Sequence, residues 1–479
     1  MGIREIVFGA VGGLTLLTAA ARADDKSPAT PGDRPNIVLC MTDDQGWGDV
    51  GYNGLKQIQT PTLDSMAAAG LRFNRFYSAH PSCSPTRASV MTGRHPNRMG
   101  CFWPGMPIRV QEVTIAQAVK KAGYVTGHFG KWHLNGVAGF GKPIAAADPV
   151  GPLAMGFDES FSVSNWFDLD WTFSHNGKNV KVAGDGSDAI VAQALKFIGA
   201  VAAQEKPFLA VVWFGSPHVP HKPMPDDLKK AGGEAYYGEL VGVDRAMGTL
   251  RSGLRKLGIA DNTLLWFCSD NGAWHDEKKP IEHGSNGGLR GMKGQLWEGG
   301  IRVPALIEWP ARIKKPLVTD VPACTSDIYP TIVDILKIDV PNQVRPLDGI
   351  SLVPLLDGTM KERPKPIGFW QYNESQPTFN ANSGPSAWID NRYKLHKGGQ
   401  TEESEEPNAW RPGVLPNTWE LYDLIADPTE QTDIAAKHPE ILNRMKAELE
   451  QWQQSVLRSH RGEDYPGKAI TEPKKPAAK

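Results

Sequence analysis

The sequence predicts an α/β fold: a parallel sheet covered by helices on both faces, followed by a smaller α+β unit. Three observations carry this. The runs 36–41, 207–214 and 263–268 are continuously apolar and of strand length, as expected for strands buried on both faces. Amphipathic helical segments stand between them. Beyond about residue 360 the texture changes to short strands separated by Pro-, Gly- and Ser-rich loops. The expected division is therefore a catalytic-sized domain over 35–359 and a smaller one over 360–461.

Taken in order, residues 1–23 read as a signal peptide. Arg4 supplies a positive charge, 6–17 is apolar, and Ala21-Arg22-Ala23 is a small-residue cleavage site. The apolar run is short for a membrane span, and no second long run follows. The mature chain is thus expected to be exported, periplasmic or extracellular, and not membrane-spanning. Residues 24–34 form a polar linker. The strand 36–41 ends in Asp43-Asp44. Thr60-Pro61 opens a helix carrying Leu63, Met66 and Ala67, which Gly70 closes; Leu71–Tyr77 is a strand. Pro85 suits the first turn of a helix over 86–92, and Gly93 suits its stop. Cys83 then lies just before a helix N-terminus, where free N–H groups and the dipole favour an anion and lower a thiol pKa. Arg87 adds a charge able to fork onto oxyanions.

The pattern repeats. A helix over 114–122 and a strand over 124–129 lead to Lys131 and His133. A helix near 188–199 precedes the strand 207–214, which ends in Ser216-Pro217-His218-Val219-Pro220-His221. A helix over 235–257 carries Leu240, Val243, Met247, Leu250 and Leu254 at helical spacing, and strand 263–268 ends in Ser269-Asp270-Asn271. A glycine-rich loop over 283–300 holds Lys293 and lacks phosphate-loop spacing. A helix over 326–336, short strands (Ile367–Trp370, 387–390, 392–395, Trp419–Asp423) and a closing helix near 438–456 complete the fold. Residues 462–479 are Lys- and Pro-rich and expected to be disordered.

Ligands of such sheets bind at the strand carboxyl ends, where the chemistry-capable residues fall. Asp43, Asp44, Asp270 and Asn271 form an all-oxygen set suited to Ca²⁺ or Mg²⁺ rather than zinc. Arg87, Lys131, Lys293 and two histidines add positive charge beside it. That combination can hold a tetrahedral oxyanion ester over a nucleophile, with the histidines as acid and base near neutral pH. The net charge of −1 gives no general attraction to nucleic acid. The four cysteines besides Cys83 could pair in an oxidising compartment, but Cys40 and Cys268 fall inside apolar strands and read as buried thiols.

Cys83-Ser84-Pro85-Thr86-Arg87 with Thr92-Gly93-Arg94 resembles the signature of the formylglycine-dependent sulfatases. Asp43-Asp44, Lys131-Trp132-His133, Pro217-His218, Ser269-Asp270-Asn271-Gly272, Lys293 and Glu420-Leu421-Tyr422-Asp423 stand in that family's order. The resemblance implies an alkaline-phosphatase-like fold, a large mixed sheet between helices plus a C-terminal subdomain with a small antiparallel sheet. It implies that Cys83 is matured to formylglycine (3-oxoalanine) by a sulfatase-maturing enzyme. It implies that Asp43, Asp44, Asp270, Asn271 and residue 83 bind Ca²⁺, Mg²⁺ being possible. By the same carry-over a hydroxyl of the hydrated aldehyde attacks sulfur, helped by Asp270. His218 with Lys293 protonates the leaving alcohol, His133 takes the proton that lets sulfate leave, and Arg87 and Lys131 steady residue 83 and the sulfate oxygens. His221 is either a second substrate contact or a loop histidine. The expected substrates are sulfated carbohydrates or aryl sulfates, with Trp103, the 166–171 loop, His221 and 370–373 as candidate contacts beyond the sulfate. Two alternatives stand beside this: a phosphomonoester, phosphodiester or phosphonate hydrolase of the same superfamily, and a non-catalytic binder of sulfated glycans with Cys83 unmodified.

Overall fold

The computed structural model describes residues 1–2, 34–137, 139–274, 284–372, 384–398, 418–465 and 467. The signal peptide, nearly all of the leader linker, His283, Asn373 and most of the C-terminal tail lie outside the described residues.

The strands of the large sheet are β1 (Asn36–Thr42), β2 (Leu71–Tyr77), β3 (Val125–Lys131), β4 (Glu159–Val163), β5 (Thr172–His175), β6 (Lys178–Lys181), β7 (Phe208–Trp213), β8 (Thr263–Ser269), β9 (Arg302–Glu308), β10 (Leu317–Thr319) and β11 (Ala323–Cys324). Their order is β10-β2-β9-β8-β1-β7-β3-β4-β5-β6, with β11 also on β2. The helices are α1 (Pro61–Ala69), α2 (Cys83–Thr92), α3 (Ile115–Lys120), α4 (Gly186–Ala202), α5 (Pro225–Lys230), α6 (Ala235–Lys256), α7 (Glu298–Ile301), α8 (Ile328–Ile335), α9 (Val353–Leu356) and α10 (Pro439–His460). A second, antiparallel sheet holds β12 (Ile367–Trp370), β13 (Ser386–Asp390), β14 (Tyr393–Lys397) and β15 (Trp419–Asp423).

The continuous apolar run of β1 has a direct cause. Ile37, Leu39 and Met41 face one core with α2, α3 and α8, while Val38 and Cys40 face the other with α1, α4 and α6. Alternate side chains of a strand point to opposite faces, so a strand covered on both must be apolar throughout. On α6, Val243, Met247, Leu250 and Leu254 fill the second core.

The sheet is mixed, not parallel throughout. The five strands β8-β1-β7-β3-β4 are parallel, but β9 runs antiparallel between β2 and β8, and β5 and β6 form an antiparallel edge. β9 was hidden from the sequence pattern by Pro304, which cannot donate to a ladder. The structure accommodates it with a register shift in β2 between Phe73 and Phe76, opposite the proline.

The small sheet packs α10 on one face and clamps the glycine-rich loop. Trp297 stacks on His396 of β14 at 4.0 Å, and Arg290 lies 3.7 Å over the Trp297 ring. Lys394 reaches Glu298 at 3.2 Å and Glu430 at 2.7 Å, all three side chains buried. Asp464 and Tyr465, which the sequence assigned to the disordered tail, instead pack on the main body. Asp464 pairs with Arg94, and the Tyr465 hydroxyl donates to Glu112. Among the described residues no helix is long and apolar enough to cross a membrane.

Candidate active site

The five parallel strands deliver their carboxyl ends to one place. Asp43 and Asp44 follow β1, Lys131 ends β3, His218 lies past β7, and Asp270 and Asn271 follow β8. Across from them, α2 begins at Cys83. The expected position just before the helix moves by one residue, since Ser82 is the cap. The Cys83 Sγ and one carboxylate oxygen each from Asp43 and Asp270 lie within 4.8 Å of one another.

Three carboxylates meet three cations here, so the buried cluster is balanced. Lys131 Nζ donates to Asp43 Oδ2 at 2.6 Å. Lys293 Nζ donates to Asp44 Oδ2 at 2.7 Å. Arg87 donates through Nε (3.2 Å) and Nη2 (2.7 Å) to one oxygen of Asp270, Oδ2, and its plane lies 5.0 Å over Trp213. Arg87 therefore does not present the open fork expected of it. Its donors hold Asp270 and, through Nη1, the Lys131 carbonyl.

Two oxygens stand out. Asp43 Oδ1 and Asn271 Oδ1 are buried and have no hydrogen-bond partner among the described residues. Buried polar atoms are nearly always satisfied. Asn271 Nδ2 donates to Asp44 Oδ1 at 2.8 Å and to the Gly272 carbonyl at 3.0 Å, which fixes the amide beside the carboxylates. The three carboxylates of Asp43, Asp44 and Asp270 and the amide oxygen of Asn271 are hard oxygen donors that fit a Ca²⁺ or Mg²⁺ ion. Burial, then repulsion by Asp43, pushes the Asp270 carboxyl up to about 7 in the metal-free cluster, and a divalent cation would reverse that. Burial would also raise Asp44, but Lys293 and His218 outweigh it and hold that carboxyl well below the usual range.

The expected thiolate does not form. Desolvation raises the Cys83 thiol pKa despite Lys131 and Lys293, because burial in an enclosed site outweighs a helix terminus. All five cysteines are buried free thiols. The histidines also depart from a near-neutral titration. Burial, then Lys131 and Arg87, lowers His133 well below its ordinary value. Burial lowers His218 to about 3, with Asp44 opposing and Lys293 and Lys131 adding to the fall. Both rest neutral. His218 donates from Nδ1 to the Val219 carbonyl at 2.5 Å, leaving Nε2 facing Asp44 Oδ2 at 3.7 Å. Asp44 (φ 68°) and His133 (φ 54°) sit in the left-handed region, a strain of order 1 kcal/mol or more that concentrates at functional positions.

The 216–222 loop that carries His218 is bracketed by one carboxylate. Glu239, buried on α6, accepts from Ser216 Oγ at 2.6 Å and from the Lys222 backbone N–H at 2.8 Å. Sequence reading passed over it, although a glutamate between Tyr236, Leu240 and Val243 on an apolar stripe was a signal. His221 lies edge-on to Tyr236 at 5.4 Å. Ser84 was also missed; its Oγ donates to the His133 carbonyl (2.6 Å) and accepts from Gly105 N–H (2.7 Å). Of the candidate substrate contacts, Trp103 and Tyr372 meet at 5.6 Å, and Trp166 lies beside His218.

A family model described as Sulfatase matches residues 35–338, and one described as N-sulphoglucosamine sulphohydrolase, C-terminal, matches 292–455. The chain is 33% identical to the N-acetylgalactosamine-6-sulfatase of Mus musculus, over 88% of this chain and 87% of that protein. It is 30% identical to the Arylsulfatase A of Homo sapiens, over 86% of each. The crystal structure of Ps i-CgsB in complex with k-i-k-neocarrahexaose superposes with a TM-score of 0.73 at 26% identity, covering 91% of this chain and 98% of that one.

Proposed function

The chain belongs to the sulfatase family and is a sulfuric ester hydrolase, and from that premise we propose that it removes sulfate from sulfated carbohydrates through a formylglycine made from Cys83, with Ca²⁺ at the adjoining oxygen cluster. The observation that carries this is the placement of the Cys83 side chain at a helix start, against Asp43 and Asp270 and within a ring of three cations. The unmodified sulfur occupies the place of the nucleophilic oxygen. Hydrated formylglycine supplies a hydroxyl nucleophile and a second hydroxyl for sulfate expulsion. Asp43, Asp44, Asp270, Asn271 and residue 83 would hold a Ca²⁺, which would supply positive charge opposite the negative charge of the sulfate oxygens; Mg²⁺ is the alternative ion.

The chain's own residues divide the remaining work. Asp270, beside residue 83, is placed to accept a proton from that position. Arg87 orients Asp270. Lys131 and Lys293 face the sulfate oxygens and exchange part of their pairing with Asp43 and Asp44 for it. Lys293 and His218 stand on the leaving-group side and hand a proton to the departing alcohol. His133, neutral and with Nδ1 unpartnered among the described residues, can take a proton from residue 83. Names of relatives acting on N-acetylgalactosamine 6-sulfate and a carrageenan oligosaccharide in a similar structure support a sulfated sugar as substrate. Residues 1–23 support export to the periplasm or beyond, with maturation by a dedicated enzyme on the way.

The test is the mass of the residue-83 peptide from a host with a sulfatase-maturing system, followed by sulfate release from defined sulfated saccharides and matched aryl sulfate and phosphate esters. A formylglycine mass with sulfate release exceeding phosphate release supports the reading. Sulfate turnover by an intact cysteine, or preference for phosphate, overturns it.

A further inference from the structure

The catalytic groups end at His218, but the aromatic surface continues. Trp166 leaves the carboxyl end of β4, and its ring lies 6.3 Å from the His218 imidazole, nearly parallel at 12°. Phe140 meets Trp166 edge-on at 4.9 Å, and Trp171 lies 5.4 Å from the same ring. Trp166 is 9% exposed and Phe140 is 62% exposed. Among the described residues Phe140 is the only aromatic side chain in the exposed large apolar set, and Val219, next to His218, belongs to the same set.

An exposed phenylalanine forgoes about 2 kcal/mol of burial, and nothing in the fold requires one here. Yet its position is firmly held. Asn165 Nδ2 donates to the Gly139 carbonyl, and Gly141 N–H to the Trp166 carbonyl at 3.0 Å. Trp171 Nε1 donates to the Gly141 carbonyl at 3.1 Å, and Ser164 N–H to the Lys142 carbonyl at 2.8 Å. A Cβ at Gly141 would lie 2.4 Å from the Trp166 carbonyl oxygen, so only glycine lets the two segments close. The result is a ring on a pinned loop with most of its surface in solvent, one aromatic step from His218.

The ligand that fits must carry an anionic ester for Lys131 and Lys293 and, beside it, a ring with an apolar face. A pyranose offers that face through its C–H bonds, while its hydroxyls stay in water. Resting on the sulfatase reading above, we propose that Phe140, backed by Trp166, forms a stacking subsite for a pyranose ring of the leaving saccharide, and that Phe140 sets the preference for saccharide over bare sulfate.

The experiment is calorimetric binding to the full chain carrying Cys83→Ala, which stops turnover. The probes are 6-sulfated disaccharides built on galactose, N-acetylgalactosamine and glucosamine, with inorganic sulfate as the ring-free control. At least one disaccharide should bind more tightly than inorganic sulfate. Phe140→Ala in the same background should weaken that disaccharide about 5- to 10-fold, leave inorganic sulfate unchanged, and be rescued by Phe140→Tyr. Equal disaccharide affinity with Phe140→Ala, a loss shared by inorganic sulfate, or no disaccharide binding better than sulfate each overturns the subsite. The catalytic reading is judged apart, by sulfate release from the matured chain. Release that ignores Phe140→Ala sinks only the subsite, and Phe140-dependent binding without release sinks only the catalysis.

Discussion

Lys131→Met tests the balance of the buried cluster. The Lys131 ammonium and the Asp43 carboxylate are both fully buried and 2.6 Å apart. Without Lys131, the cations left to Asp43 are Arg87, 3.8 Å from Oδ1 and already bonded to Asp270, and Lys293, already bonded to Asp44. Breaking a buried pair from one side leaves a charge uncompensated and costs about 3–5 kcal/mol. For a chain of 479 residues, an unfolding entropy of about 2 cal/mol/K per residue makes this a drop of about 3–5 °C in melting temperature. Calorimetric or fluorescence melts in chelator should show that drop. Repeating them in Ca²⁺ should shrink it, because a cation on Asp43 Oδ1 restores a partner. In Ca²⁺, sulfatase kcat/KM should fall about 100- to 1000-fold. A drop under 1 °C in chelator would refute the charge-balance argument, and an equal drop with and without Ca²⁺ would remove Asp43 from the metal's ligands.

Three further outcomes are expected. Cys83→Ala and Cys83→Ser should both abolish sulfate release while melting near the parent, since alanine offers no nucleophile and a serine sulfate lacks the second hydroxyl; near-parental activity in either sinks the mechanism. Burial, then Asp168, pushes the Glu239 carboxyl up to about 8. Its protonated form suits the fold, so the associated stability is full below about pH 4.3, its ordinary value, and falls by a few kcal/mol as pH rises toward 8; Glu239→Gln should flatten denaturation midpoints across that window, and an unchanged slope would contradict the assignment. A Cβ at Gly272 would lie 1.8 Å from the Gly299 carbonyl oxygen. Gly272→Ala should therefore displace Asn271 or α7, cost about 1–3 kcal/mol and lower activity at least about 10-fold, and a variant equal to the parent in both would show that the backbone yields freely.

Some of this was legible in one dimension because its cause is local. β1, β7 and β8 are apolar at every position since both faces are covered, and α6 repeats every third or fourth residue since one stripe is. The residues placed after those strands, Asp43, Asp44, His218, Asp270 and Asn271, converge because parallel strands deliver their carboxyl ends to one edge. What the sequence by itself determined was thus which groups could meet. β9 stayed hidden because Pro304 is tolerated only through a bulge in another strand, 228 residues earlier at its nearest flank, Phe76. The protonation of the site was equally out of reach. A cysteine at a helix start and histidines near lysines suggest a thiolate and neutral-range acids, yet burial raises Cys83 and lowers His133 and His218. Arg87 was read as free to grip an oxyanion, whereas Asp270 occupies its donors. Phe140 and Glu239 carry no motif; one matters because a loop pins it beside Trp166, the other because helix packing slides it under the His218 loop. Only the tertiary structure decided these, because desolvation and charge pairing depend on which chains of atoms surround a group, and those neighbours come from distant parts of the sequence.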